Sequence, residues 1–355
     1  MEIMIQGRPI GPSHPTYFIA DIAANHDGSL DRAKTLIGAA HEAGADAAKF
    51  QHFDAAQIVS DVGFDRLEAQ LSHQASWTKS VTEVYQEASV PPDWTAELKA
   101  ECDQVGITFF SSPYDPKAVD ALDQYVPAFK IGSGDIDWLE SLQHVASKGK
   151  PVILGTGAAD LAEVRRAVDT IRAMNDQLIV LQCNTNYTAD DQNFDHLNLR
   201  VITTYQELWP DLVIGLSDHT HGPAAVLGAV ALGACVIERH FTDDNGRSGP
   251  DHKFALDPDA WRAMVDETRR LERALGSADK NVATNELGSA VVQRRCVRAR
   301  RDLPSGTVLR RTDLEVLRPA TPGGISPADL GQLVGRSLVS AVECGRELTW
   351  EDLDG

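Results

Sequence analysis

Two histidines, His219 and His240, open the chemistry of this sequence. Each closes an apolar run, and each has an acid nearby, Asp218 or Glu238. If the two runs are neighbouring strands, the imidazoles can share one divalent ion and leave its other positions to water or substrate. The plainer alternative is a pair of satisfied hydrogen-bonders. Lys49 and Lys130 are the second pair, set inside the apolar stretches AAKFQ and AFKIGSG. A buried ammonium without a counter-charge is costly, so an anion is expected at each. Internal ion pairs to Asp21 or Glu238 would satisfy them. So would a small ligand carrying both phosphate and carboxylate, which the nearby hydroxyls and amides also suit. A Schiff-base lysine at Lys130 is a further option. His26, His221 and His252 are weaker ligand candidates. His26 reads as a strand-end hydrogen-bonder and His221 as the opening of a helix. Asp251, in GPDHKFALDP, lies in a loop that can reach the same region.

These residues converge only if the chain brings strand ends together. Eight continuous apolar runs, at 18–26, 47–53, 108–114, 128–134, 151–157, 178–184, 212–220 and 235–242, read as parallel strands buried on both faces. Helix-period stripes separate them. Asp160 and Asp257 are read as caps, Pro258 as a first helical residue, Gly276 as a stop, and Asp137 as a third cap. Eight strand–helix units in this span predict an α/β fold of the (β/α)₈ barrel kind, whose chemistry sits at the C-terminal strand ends. An open doubly wound sheet is the rival. It usually carries a glycine-rich turn after its first strand, and NHDGS is not one.

The 355 residues carry a formal charge of −19, which disfavours nucleic acid and anionic lipid as partners. No apolar run approaches the roughly 18–20 residues of a membrane helix. The five cysteines are odd in number, scattered and free of CxxC spacing, so they read as reduced thiols rather than disulfides or a zinc site. The opening MEIMIQGRPIG lacks the pattern of a secretion signal. The expected location is cytoplasmic. Composition shifts after Gly276. The division predicted is a barrel over 1–276, a polar linker over 277–290 and a small, mostly β domain over 291–355. Seven arginines lie between Arg294 and Arg311 without interleaved aromatic residues, as in a solvated face or a surface docking on the acidic barrel.

IGLSDHT (214–220), LGAVALGA with IERHFTD (227–243), GPDHK (249–253), FKIGSGD (129–135) and NHDGS resemble the sialic acid (N-acetylneuraminate) synthase family. RPATPGGIS (318–326) resembles the loop of that family's antifreeze-like (SAF, β-clip) domain. The resemblance implies a transferase that condenses phosphoenolpyruvate with an N-acylamino sugar aldehyde, such as N-acetylmannosamine, to a nonulosonic acid and phosphate. It implies a Mn²⁺ or Mg²⁺ ion on His219 and His240, and a domain-swapped homodimer. By motif, Lys49, Ser112, Lys130, Ser133, Asn184 and Ser217 would hold phosphoenolpyruvate. Gln51, Asp135, Tyr187, Asp251 and a partner chain's Arg318 would face the sugar, and Asp21 would be the catalytic base. Asp21 and Asp135 stand where the family usually has glutamate, Gly155-Thr156-Gly157 where it often has STG, and the Asn184–Tyr187 stretch also departs. These differences gather on the acceptor side and keep another aldehyde acceptor open. A sugar-phosphate relative would lack the tail. A metal-dependent hydrolase would want HxH on the first strand, where Asn25-His26-Asp27 offers one histidine. A structural, ice-binding module would rest on the tail alone.

Overall fold

A computed structural model describes residues 2–67, 74 and 77–354. The chain divides into two compact units, Met1–Gly276 and Ser277–Gly355. The first unit opens with strands β1 (Ile3–Ile5) and β2 (Arg8–Ile10). They pair antiparallel across Gln6-Gly7, both at positive φ. Eight parallel strands follow: β3 (Tyr17–Asp21), β4 (Ala47–His52), β5 (Thr108–Pro113), β6 (Phe129–Ile131), β7 (Val152–Gly155), β8 (Leu178–Cys183), β9 (Val213–Asp218) and β10 (Val236–His240). Their ladder runs β5-β4-β3-β10-β9-β8-β7-β6, and β5 lies against β6 to complete the ring. This is the (β/α)₈ architecture that the continuous apolar runs predicted. Each strand stops earlier than its run, where the chain turns into the loop that follows.

Two apolar layers hold the ring. Inside it, Ile19, Phe110, Ile153, Leu181 and Val236 pack with Ile3, Ile5 and Ile10, so the hairpin stoppers the N-terminal end. The outer layer joins the strands to the helices through residues such as Leu36, Leu98, Val168 and Trp261. Gly215 on β9 is a steric requirement: a Cβ there would lie 2.3 Å from the Val236 carbonyl oxygen of β10. Asp160 and Asp257 cap their helices through side-chain oxygens, and Asp160 completes a capping box with Glu163. Asp137 does not cap: Trp138 precedes the helix Leu139–Ala146, because a 3₁₀ turn at Ser133–Asp135 occupies the approach. His221 does not open a helix either. The next one, Ala224–Ala231, starts three residues later, and His221 bonds the Ala189 carbonyl instead.

The second unit pairs β11 (Cys296–Ala299) with β12 (Leu314–Leu317), antiparallel, over a core of Val297, Leu309, Leu333 and Leu348. The segment read as a polar linker over 277–290 folds in part: Thr284–Glu286 forms a 3₁₀ turn, and the helix Leu287–Gln293 runs past its expected end. The arginine cluster is not a simple solvated face. Arg298 is buried, pairs with Glu347 at 3.3 Å and donates to two carbonyls, and Arg301 pairs with Asp313 at 2.8 Å. Among the described residues no helix is long and apolar enough to cross a membrane.

Candidate active site

Register builds the centre of the site. Asp21, the last residue of β3, stands opposite His240 on β10 and Lys49 on β4. One rung therefore carries an imidazole, a carboxylate and an ammonium on three adjacent strands. Two residues before His240, Glu238 points to the same face, because side chains alternate along a strand. Lys49 Nζ lies 2.6 Å from Asp21 Oδ2 and 3.2 Å from Glu238 Oε1. Lys130 Nζ, from β6, reaches Glu238 Oε2 at 3.1 Å. The two lysines thus converge on one carboxylate in the ring's interior, and Lys49 is only 2% exposed.

The electrostatics follow from this crowding. Burial by itself would push Glu238 up, but Lys130 and Lys49 override it and hold the carboxyl far below the usual range. Burial would likewise strip Lys49 of its proton, yet Asp21 and Glu238 hold its pKa above the ordinary value. Asp21 is raised by burial, against the pull of Lys49. Asp251 rises to about 7 because it is buried, although it accepts the Ala24 amide at 3.1 Å. Burial takes His219 down to about 4, with help from His240, and takes His240 to about 3, with help from Lys49. Both imidazoles are neutral at physiological pH, the state in which they ligate metals.

The histidines are placed so that they could share one divalent ion. Their ring centroids are 5.4 Å apart. His219 Nδ1 bonds the Asn184 carbonyl at 2.9 Å, which fixes its proton there and leaves Nε2 as the acceptor. His240 Nδ1 and Asp21 Oδ1 are buried without a hydrogen-bond partner. Phe254 and Tyr187 wall the pair, at 4.8 Å from His240 and 4.4 Å from His219. No cluster of three or more metal-binding side chains occurs among the described residues. Behind them, fully buried Arg239 pairs with Asp218 at 3.4 Å and donates to the Thr220 and Gly222 carbonyls. That clamp holds the loop carrying His219.

A cavity of about 150 Å³ opens here. Of the residues singled out from sequence, Asp21, Lys49, Gln51, Lys130, Ser133, Tyr187, Ser217, His219, Glu238, His240 and Asp251 line it. Ser112 stands behind, 3.5 Å from Lys49 Nζ. The Asn184 side chain turns to the His196 carbonyl, and only its backbone serves His219. Asp135 lies just past Ser133, its pKa lifted to about 6 by burial and Asp137. Arg318 belongs to the second unit, exposed, its Nε on the Gln293 carbonyl at 2.6 Å. His26 packs edge-on against Trp94, and His252 bridges Asp27 and Thr242. Cys183, at the sixth strand end, is on the wall as well, and the residues missed from sequence are Tyr85, Tyr114 and Gly132 there and Phe254 beside the histidines. Tyr114, one residue past β5, followed the strand-end rule and was legible. Tyr85 sits on the helix Val81–Ala88 outside the repeat, with no signal to mark it.

Comparison with known proteins agrees. Residues 36–280 match the NeuB family and residues 294–354 the SAF domain. The chain is 37% identical over 353 residues to an N,N'-diacetyllegionaminic acid synthase of Legionella pneumophila, covering 98% of this chain and 97% of that one. It is 36% identical over 340 residues to the N-acetylneuraminate-9-phosphate synthase of Homo sapiens, covering 95% and 92%. A solved N-acetylneuraminic acid synthetase from Leptospira borgpetersenii, in complex with citrate, superposes with a TM-score of 0.71 at 28% identity, covering 81% of this chain and 95% of that one. The ring of eight strands and the small C-terminal unit thus have known counterparts, and the chain belongs to the NeuB family, the sialic acid synthases.

Proposed function

We propose that the chain condenses phosphoenolpyruvate with an N-acylamino sugar aldehyde of the N-acetylmannosamine type, forming a nonulosonic acid and phosphate. The observation that carries this is the meeting of Lys49 and Lys130 on Glu238 in a buried mouth. A lone structural ion pair needs one lysine; two, with Ser133 and Ser217 alongside, form a cradle for a multiply charged anion. Lys49 and Lys130 face its phosphate and carboxylate, assisted by Ser133 and Ser217, with Ser112 backing Lys49; Asn184, expected here from the resemblance, points its side chain to the His196 carbonyl instead. Gln51, Asp135, Tyr187 and Asp251 orient the aldehyde sugar. His219 and His240 hold Mn²⁺ or Mg²⁺, which when bound supplies a Lewis acid for the aldehyde oxygen.

In the reaction C3 of phosphoenolpyruvate bonds to the aldehyde carbon, and the aldehyde oxygen takes up a proton as a new hydroxyl. C2, left electron-poor, receives water. Asp21 presents a carboxylate oxygen that has no hydrogen-bond partner in the mouth, and it accepts the proton of that water. The C2–O bond to phosphate then breaks. An acceptor other than N-acetylmannosamine is the second reading, favoured by the shorter Asp21 and Asp135 and by the different products for which the two relatives are named, one phosphorylated and one not. The test is phosphate release from phosphoenolpyruvate against a panel of aldehyde sugars, with product mass determined. Stimulation by at least one acylamino sugar is expected; no stimulation by any aldehyde overturns the reading.

Catalysis is assigned to the barrel over 1–276 and acceptor capture in part to the tail over 291–355, serving the partner's site in a swapped homodimer. The exposed Arg318 is the side chain assigned to reach across. Co-expression of Arg318→Ala with His219→Ala tests this. Each heterodimer then keeps one site with both residues intact, so activity is expected at about a quarter of wild type under random pairing. Verified heterodimers with no activity would place Arg318 outside the partner's site.

A further inference from the structure

Strand β7 brings no side chain to the mouth. Ile153 packs in the ring's interior, so Gly155, two residues on, faces the same way. Thr156 turns outward: its hydroxyl donates to the Leu181 carbonyl at 2.9 Å and accepts from Tyr205 at 3.1 Å. No residue of β7 is among those lining the cavity. Ser133, from the loop after β6, takes that sector instead.

The seat of Ser133 depends on two glycines. Its Oγ accepts the Gly157 amide at 2.9 Å. A Cβ at Gly155 would lie 2.8 Å from that oxygen and 3.3 Å from the Ser133 nitrogen, so the hydroxyl would have to rotate off the amide. A Cβ at Gly157 would lie 3.2 Å from the same oxygen and 3.1 Å from Cys183 Sγ. Cys183 stands opposite Ser217 in the β8–β9 register, and its thiol bonds both serines. Burial lifts that thiol to about 11, so it is a neutral neighbour for an anion. A hydroxyl oxygen that accepts from an amide keeps its own proton for another partner. Sulfur is a weak acceptor and a phosphate or carboxylate oxygen a strong one, so a bound anion takes that proton.

We infer that Gly155 is a positioning residue of the phosphoenolpyruvate cradle: lacking a side chain, it seats Ser133 on the Gly157 amide and so aims the Ser133 hydroxyl proton at the bound anion. The inference rests on the function proposed above. It concerns a position where this chain departs from the serine frequent in the family, and the departure leaves the hydroxyl of this sector to Ser133.

The test is a double-mutant cycle. Phosphoenolpyruvate is titrated by calorimetry, without acceptor, into the unaltered protein, Gly155→Ala, Ser133→Ala and the variant carrying both changes. Each single change should weaken binding about tenfold or more, as for loss of one hydrogen bond to a charged group. The double variant should bind no more weakly than Ser133→Ala, because with the hydroxyl gone the added methyl displaces nothing. In turnover, Gly155→Ala should raise KM for phosphoenolpyruvate and leave KM for the aldehyde unchanged. Wild-type affinity in either single variant, or a further loss of the same size when Gly155→Ala is added to Ser133→Ala, would overturn the seat and leave the proposed reaction standing. No binding of phosphoenolpyruvate by the unaltered protein would overturn both.

Discussion

His240→Ala is expected to lower turnover by on the order of 10²–10³, the loss typical when one electrostatic stabiliser leaves a preorganised site. His219→Ala should do the same, because neither imidazole can hold the ion alone. The fold should survive both changes. The rings sit at the mouth, against Tyr187 and Phe254, and not in the layer that joins strands to helices. Truncating His240 also frees Asp21, whose Oδ2 lies 3.5 Å from His240 Nε2, and Asp21 keeps Lys49. Chelation of the wild type should silence it, and Mn²⁺ or Mg²⁺ should restore it. Titrating Mn²⁺ into each variant supplies a readout independent of activity: affinity should collapse while thermal unfolding shifts little. Full turnover in excess chelator, or Mn²⁺ binding unchanged in both variants, would remove the metal from the mechanism.

Lys49→Ala should be the most damaging single change at the phosphoenolpyruvate end. It leaves Asp21 without its 2.6 Å partner and Glu238 with Lys130 alone. Breaking a buried pair costs about 3–5 kcal/mol of stability, because the abandoned charge stays buried. Loss of the ammonium should also weaken phosphoenolpyruvate by about 2–5 kcal/mol, or roughly 30- to 5,000-fold. Lys130→Ala should lose similar affinity with a smaller stability cost, since Glu238 retains Lys49 at 3.2 Å. The two effects separate in the charge-balanced double variant Lys49→Met/Asp21→Asn. It should recover most of the stability and none of the binding. Calorimetry showing wild-type affinity in both single variants would reduce the lysines to a structural ion-pair network.

That network shows how far a linear reading reaches. The lysines were legible because an ammonium within AAKFQ or AFKIGSG contradicts its surroundings. Whether the counter-charge was Asp21, Glu238 or a ligand was not, since residues 21, 49, 130 and 238 are far apart in the chain. The structure shows protein carboxylates at both lysines, and the ligand reading now rests on two cations sharing one of them.

The amino-acid order by itself determined the eight strands, the ring and the end at which polar groups gather. Parallel strands buried on both faces are predominantly apolar, so they appear in the chain as continuous apolar runs. It also determined the two histidines as neighbours, because consecutive units of a ring are adjacent. Tertiary structure decided the rest. The rung that aligns His240, Asp21 and Lys49 is a matter of register, which no local pattern encodes when both faces are apolar. The stopper hairpin at Ile3–Ile10 and the wall residue Tyr85 come from segments outside the strand–helix repeat. Their side chains acquire a role only from what the closed ring places opposite them.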